Sequence, residues 1–89
     1  MNTDTAARIR DFVVSNFLFG NAGTLTDDQS FLENGIVDST GILELVAFLE
    51  QEFNISVADR ELLPENLDSV QNASNFVLRK QAQGAPVAG

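Results

Sequence analysis

Asp38-Ser39-Thr40 sets a hydroxyl directly before an amphipathic stretch that contains no Lys or Arg. A serine there falls at a helix start, where free backbone N–H groups and the positive end of the helix dipole collect. A phosphate ester on Ser39 would be favoured at such a position by about 0.3–1 kcal/mol if exposed. With the outward face of that helix acidic, the pattern suits a hydroxyl that another enzyme modifies better than one that does chemistry itself. Ser and Asp are also preferred N-caps in any helix, so spacing alone leaves simple capping by Asp38 or Ser39 open.

The rest of the chain offers little other chemistry. The 89 residues include no Cys and no His. Thiol nucleophiles, disulfides, Ser-His-Asp catalysis and the usual zinc ligands are thereby excluded. Asp27-Asp28 lacks the alternating ligands of a calcium loop, so no metal site is expected. A core this small leaves little volume for a buried pocket, so no catalytic residue is assigned. Length limits the chain to one domain, and a hydrophobic content of 44% suffices for one modest core. No run approaches the ~18 apolar residues of a membrane span, and the N-terminus lacks a signal pattern, so a soluble cytoplasmic protein is expected.

Net charge is −8, from 13 acids and 5 bases, and no Lys or Arg occurs from Asp11 to Asp59. Such a field repels phosphate backbones and anionic lipid, which argues against nucleic-acid binding and membrane insertion. It either steers basic protein surfaces toward this one or serves only to keep a small domain soluble.

Four helical elements must position Ser39. In residues 4–18, Ile9, Phe12, Val13 and Phe17 recur at helical spacing, and Gly20 and Gly23 end the run. Residues 20–37 form a long connection, to be pinned by Leu25, Phe31, Leu32 and Ile36, and Asn34-Gly35 turns the chain toward Asp38. From 39 to 53, Ile42, Leu45, Val46, Leu49 and Phe53 form an apolar stripe, with Leu43, Ala47 and Glu50 along one flank and Asn54 closing the helix. A short helical turn is expected over 59–63, capped by Asp59 and ended by Pro64. The last helix should cover 69–80, opened by a capping box of Asp68 and Gln71, with Val70, Ala73 and Val77 inward. The fold class is therefore all-α: a small up-and-down bundle of three main helices and one short one, over residues 1–80. Residues 81–89 read as a flexible tail, and such a bundle needs no second copy, so a monomer is expected.

The stretch from Gly35 to Phe53 resembles the attachment segment of acyl carrier proteins, and Asp28-Gln29-Ser30-Phe31-Leu32 and Asp68-Ser69-Val70-Gln71-Asn72-Ala73 also fit that family. The likeness covers roughly residues 4–80. It implies that Ser39, flanked by Asp38, bears a 4'-phosphopantetheine arm installed from coenzyme A by a phosphopantetheinyl transferase. It implies further that the arm's thiol holds an acyl group as a thioester, so the reactive sulfur comes from the cofactor and not from the chain. The implied partners are that transferase, an acyl- or aminoacyl-loading ligase, and acyl-transferring enzymes with basic docking patches. Asp38, Glu44 and Glu50 would meet those patches, with Leu43 and Ala47 between them; peripheral packing and an ordinary solvated face are the plainer roles for these side chains.

Three features depart from the commonest fatty-acid pattern: Thr40 stands where Leu usually follows the serine, Gly41 replaces an acidic or polar residue, and the run Glu61-Leu62-Leu63-Pro64-Glu65-Asn66 precedes the last helix. Gly weakens the first turn by up to ~1 kcal/mol relative to Ala, leaves space beside the arm and removes a docking charge. Gly-Ile-Val-Asp-Ser-x-Gly resembles stand-alone carriers of amino acids, such as D-alanyl carriers, so a specialised carrier is expected. Phe48, on the flank opposite Leu43, either packs on the minor helix or narrows a cavity for a long acyl chain. Outside the carrier reading, the alternative is an unmodified acidic helical module that binds a basic partner.

Overall fold

The structure, a computed structural model, describes residues 2–18 and 25–84. Among the described residues it is all-helical: α1 (Asn2–Phe17), α2 (Ser39–Phe53), a 3₁₀ turn (Asp59–Glu61), α3 (Pro64–Leu67) and α4 (Val70–Gly84). The order follows from where apolar side chains must go. Ile9 and Val13 from α1, Leu45 and Leu49 from α2, Leu67 from α3, and Val70, Ala73, Phe76 and Val77 from α4 form one buried cluster. α4 packs against α1 and α3, and α1 packs against α2. Leu25, Phe31 and Val37 complete the cluster from the segment joining α1 to α2, so that long connection is part of the core.

Local chemistry explains the boundaries of α2. Asp38 has extended backbone and its side chain accepts a hydrogen bond from the Gly41 N–H, while Asn54 ends the helix in the left-handed region at φ 56°. Asn tolerates that conformation better than most residues with a Cβ.

Several local expectations are corrected. Pro64 does not end the minor helix; a 3₁₀ turn stops at Glu61 and Pro64 opens α3, because its fixed φ and missing N–H suit a first helical position equally well. Asp59 is the first residue of that turn and Ala58 its N-cap; the Glu61 side chain returns to the Ala58 N–H. No Asp68–Gln71 capping box forms: Ser69 Oγ accepts from the Asn72 N–H at 3.0 Å, and the Gln71 N–H donates to the Asp27 carbonyl at 2.8 Å. α4 runs on to Gly84, so residues 81–84 are helix and not tail. Leu32, expected to pin the connection, is 41% exposed, and Val37 takes a core position instead. Phe48 stacks on Phe12 of α1, ring centroids 4.2 Å apart, and meets Phe53 edge-on, so it fills the seam between α1 and α2. The glycines at 20 and 23 and the end of the expected tail, 85–89, lie outside the described residues.

Candidate functional site: the tip of α2

Ser39 reaches the surface because the loop before it is held from both ends. Phe31 is fully buried, and its carbonyl accepts the Ile36 and Val37 N–H groups at 2.9 and 3.3 Å. Between these contacts the chain reverses through Asn34 and Gly35, and Gly35 takes φ +69°, a conformation open to glycine at little cost. Val37 is then driven inward, at 1% exposure, and the next residues, Asp38, Ser39 and Thr40, all face solvent.

Asp38 is the cap. Its Oδ1 accepts from the Gly41 N–H at 2.7 Å and its carbonyl from the Ile42 N–H at 2.9 Å. Ser39 is the first helical residue, is exposed, and among the described residues its hydroxyl has no hydrogen-bond partner. Of the two capping candidates, only the aspartate is used.

Beside Ser39 lies an open groove of about 270 Å³, lined by Ile42 and Leu43 of α2, Leu32, the segment Leu62-Leu63-Pro64, Leu67 and Asp68. Leu32, Leu43 and Leu63, at 41, 59 and 43% exposure, are the exposed large hydrophobic residues of the described chain, and all three rim this one groove. Chance would scatter such residues singly. On the other side of the tip, Asp38, Thr40 and Glu44 share a second recess of about 310 Å³ with Phe17, Gly35, Ile36 and Gly41.

Of the other side chains singled out in the sequence, Leu43, Glu44 and Ala47 are exposed on α2. At 100° per residue, Ser39, Leu43, Ala47 and Glu50 share one flank. Glu50 is half-buried and its Oε2 accepts from the Val57 N–H at 2.9 Å, so one carboxylate oxygen holds the chain that leaves α2. Gly41 does not leave space: it is buried, and a Cβ there would stand 2.8 Å from Val37 Cγ1 and 2.9 Å from Phe17 Cε1. The gap next to the serine is filled by the end of α1.

Sequence reasoning missed the far wall of the groove. Leu62, Leu63 and Pro64 stood out only as a departure from a pattern, and Asp68 was read as a cap. Glu61 fastens this wall: it accepts from the Ala58 N–H at 2.9 Å and from Lys80 Nζ at 3.0 Å, and its carbonyl accepts from Asn66 Nδ2 at 3.0 Å. The Ala58 N–H first, and then Lys80, hold the Glu61 carboxyl below the usual glutamate range. A doubled leucine before Pro was the available signal, since apolar residues at a helix entry that α3 cannot bury must face something else.

The tip of α2 thus presents an exposed serine at a capped helix start, flanked by acidic side chains and an apolar groove. The family described as "phosphopantetheine attachment site" matches residues 18–77, more than half of the chain. A probable acyl carrier protein, PigG, of Serratia sp. (strain ATCC 39006) is 33% identical over 76 residues, covering 85% of this chain and 87% of that protein. The chain belongs to the acyl carrier protein family. It is a non-catalytic carrier whose cofactor is covalently attached 4'-phosphopantetheine, and it works with phosphopantetheinyl transferases and acyl-handling enzymes. No helix among the described residues is long and apolar enough to cross a membrane.

Proposed function

We propose that Ser39 bears the 4'-phosphopantetheine arm, and that the protein is a specialised carrier presenting an acyl or aminoacyl group to enzymes with basic docking patches. The observation that carries this reading is the division of labour at the tip: Asp38 caps α2, so the exposed Ser39 hydroxyl is left without a structural task. Attached there, the cofactor supplies a terminal thiol that holds its cargo as a thioester.

The residues fit this group. The Ser39 hydroxyl attacks the phosphorus of coenzyme A that bears the pantetheine. The Oγ–P bond forms, the bridging P–O bond breaks, adenosine 3',5'-bisphosphate leaves, and the hydroxyl proton passes to a base of the transferase. Free N–H groups at the start of α2 and the helix dipole then favour the phosphate. The groove rimmed by Leu32, Leu43 and Leu63 offers apolar cover beside it. Asp38 and Glu44 are the acids nearest the tip, Leu43 and Ala47 the apolar contacts, and Glu50 sits further along the flank. With no Lys or Arg from Asp11 to Asp59, this face attracts basic surfaces.

Thr40 and Gly41 favour a specialised role over bulk fatty-acid synthesis. Gly41 is buried under Phe17, so the helix turn after the serine offers no docking charge there. Co-expression with a broad-specificity phosphopantetheinyl transferase should add one phosphopantetheine by intact mass, and Ser39→Ala should abolish the addition. A wild-type mass unchanged across several such transferases would overturn the reading. Loading the modified protein in a cell extract with ATP, followed by mass spectrometry of the thioester, separates acyl from aminoacyl cargo.

A further inference from the structure

Asp68 has no role in capping α4, since Ser69 does that, yet three consecutive residues of the distant loop converge on it. Its Oδ1 accepts from the Leu32 N–H at 2.9 Å, its Oδ2 accepts from the Ser30 hydroxyl, and its carbonyl accepts from the Phe31 N–H at 2.7 Å. Resting on the reading of Ser39 as the attachment serine, we propose that Asp68 is a positioning residue for its modification: it fixes where the Ser39 hydroxyl stands on the tip of α2.

The argument is one of connection. From Asp68 the hydrogen bonds run to residues 30–32. Ser30 Oγ accepts in turn from the Glu33 N–H at 3.1 Å, and the Phe31 carbonyl takes the Ile36 and Val37 N–H groups. Val37 leads directly to the Asp38 cap and to Ser39. Phe31 and Val37, at 0 and 1% exposure, lock the two ends of this path in the core. Every turn between Asp68 and Ser39 is therefore specified by a bond or a buried side chain.

The side-chain type also matters. Two donors of different kinds, an amide and a hydroxyl, must be met at once by atoms about 2 Å apart, which a carboxylate does with charge-assisted bonds. Asn can reproduce the pair, because its oxygen accepts from Leu32 and its amide donates to the spare lone pair of Ser30 Oγ. Ala can reproduce neither. Asp68 also lines the groove beside Ser39, so the clasp and the attachment site share a boundary.

The decisive experiment is steady-state phosphopantetheinylation of wild type, Asp68→Ala, Asp68→Asn and Ser30→Ala by a broad-specificity transferase with coenzyme A, below each variant's melting temperature. The docking face of α2 is unchanged in all of them, so KM should hold. For Asp68→Ala, kcat should fall at least about tenfold, because small misplacements of a reacting group are costly. Asp68→Asn should restore most of the rate, and Ser30→Ala should fall between. Faster amide exchange at Leu32, Ile36 and Val37 in Asp68→Ala should accompany the loss. A folded Asp68→Ala with unchanged kcat overturns the proposal, as does a loss confined to KM. If Asp68→Ala does not fold, Ser30→Ala decides by the same criterion. A wild type that takes no phosphopantetheine refutes the Ser39 reading instead, so the two failures are distinct.

Discussion

Gly41→Ala sets two opposing effects against each other. Replacing a glycine in the first turn of a helix by alanine stabilises it by up to ~1 kcal/mol where there is room for the Cβ. Here the new Cβ would lie 2.8 Å from Val37 Cγ1 and 2.9 Å from Phe17 Cε1, and 3.3 Å from Asp38 Oδ1. Carbon atoms pack best at about 3.5–4.0 Å, so both neighbours must retreat by about 0.6–0.7 Å or more. Val37 has nowhere to go: it is 1% exposed and its N–H is tied to Phe31. Phe17 can turn, at the expense of its edge-on contact with Phe12, ring centroids 5.9 Å apart. Overpacking of this kind costs about 1–3 kcal/mol, so the net expectation is a loss of about 1 kcal/mol. For a domain of this length that corresponds to a Tm lower by about 4–8 °C. Thermal and urea unfolding followed by circular dichroism measure it. In a Phe17→Leu background the penalty should shrink, giving a coupling of about 0.5 kcal/mol or more. A Gly41→Ala protein that melts higher than the parent, or shows no coupling to position 17, refutes the steric reasoning.

Two other outcomes are expected. Glu61 is held below the usual glutamate range by the fold, so its stabilising effect is complete above that range and disappears as pH falls through the lower folded value. Glu61→Gln should therefore be less stable than wild type at neutral pH, and urea midpoints of the two should converge as pH falls below the ordinary glutamate range. Phe31→Ala removes a fully buried ring at the hub of the loop and should cost about 3–5 kcal/mol, whereas Leu43→Ala, 59% exposed, should stay within about 0.5 kcal/mol. Parallel denaturation curves test both, and equal effects would contradict the assigned burial.

The sequence made the architecture of α2 legible because that helix is governed by local rules. Its apolar stripe recurs every three or four residues, Asp38 offers a cap, and Asn54 offers a left-handed stop. Ser39 stood out for the same reason. What local rules could not decide were contests between two permitted roles. Pro64 can end one helix or begin another, and the depth at which Leu67 is buried favours the second. Asp68 meets the spacing of a capping box, but a partner 38 residues away, Ser30, claims its carboxylate, and no window along the chain reveals that competitor. Phe48 was placed on the correct kind of surface, half-buried, while its neighbour depended on how α1 lies across α2. Gly41 was read from its own small size, when its environment is set by Phe17, 24 residues earlier. Tertiary partners account for each difference.

The bundle is joined by hydrocarbon, but the outer wall of the cleft next to Ser39 is anchored differently. Leu67 is its one fully buried nail; Glu61 with Lys80, and Asn66 with Arg79, tie its edges to α4 through charge and amide contacts. Ionic strength and acidity act on such ties far more than on buried leucines. Salt and acid therefore loosen the Glu61–Lys80 tie at the rim of that wall before they touch the hydrocarbon that joins the helices.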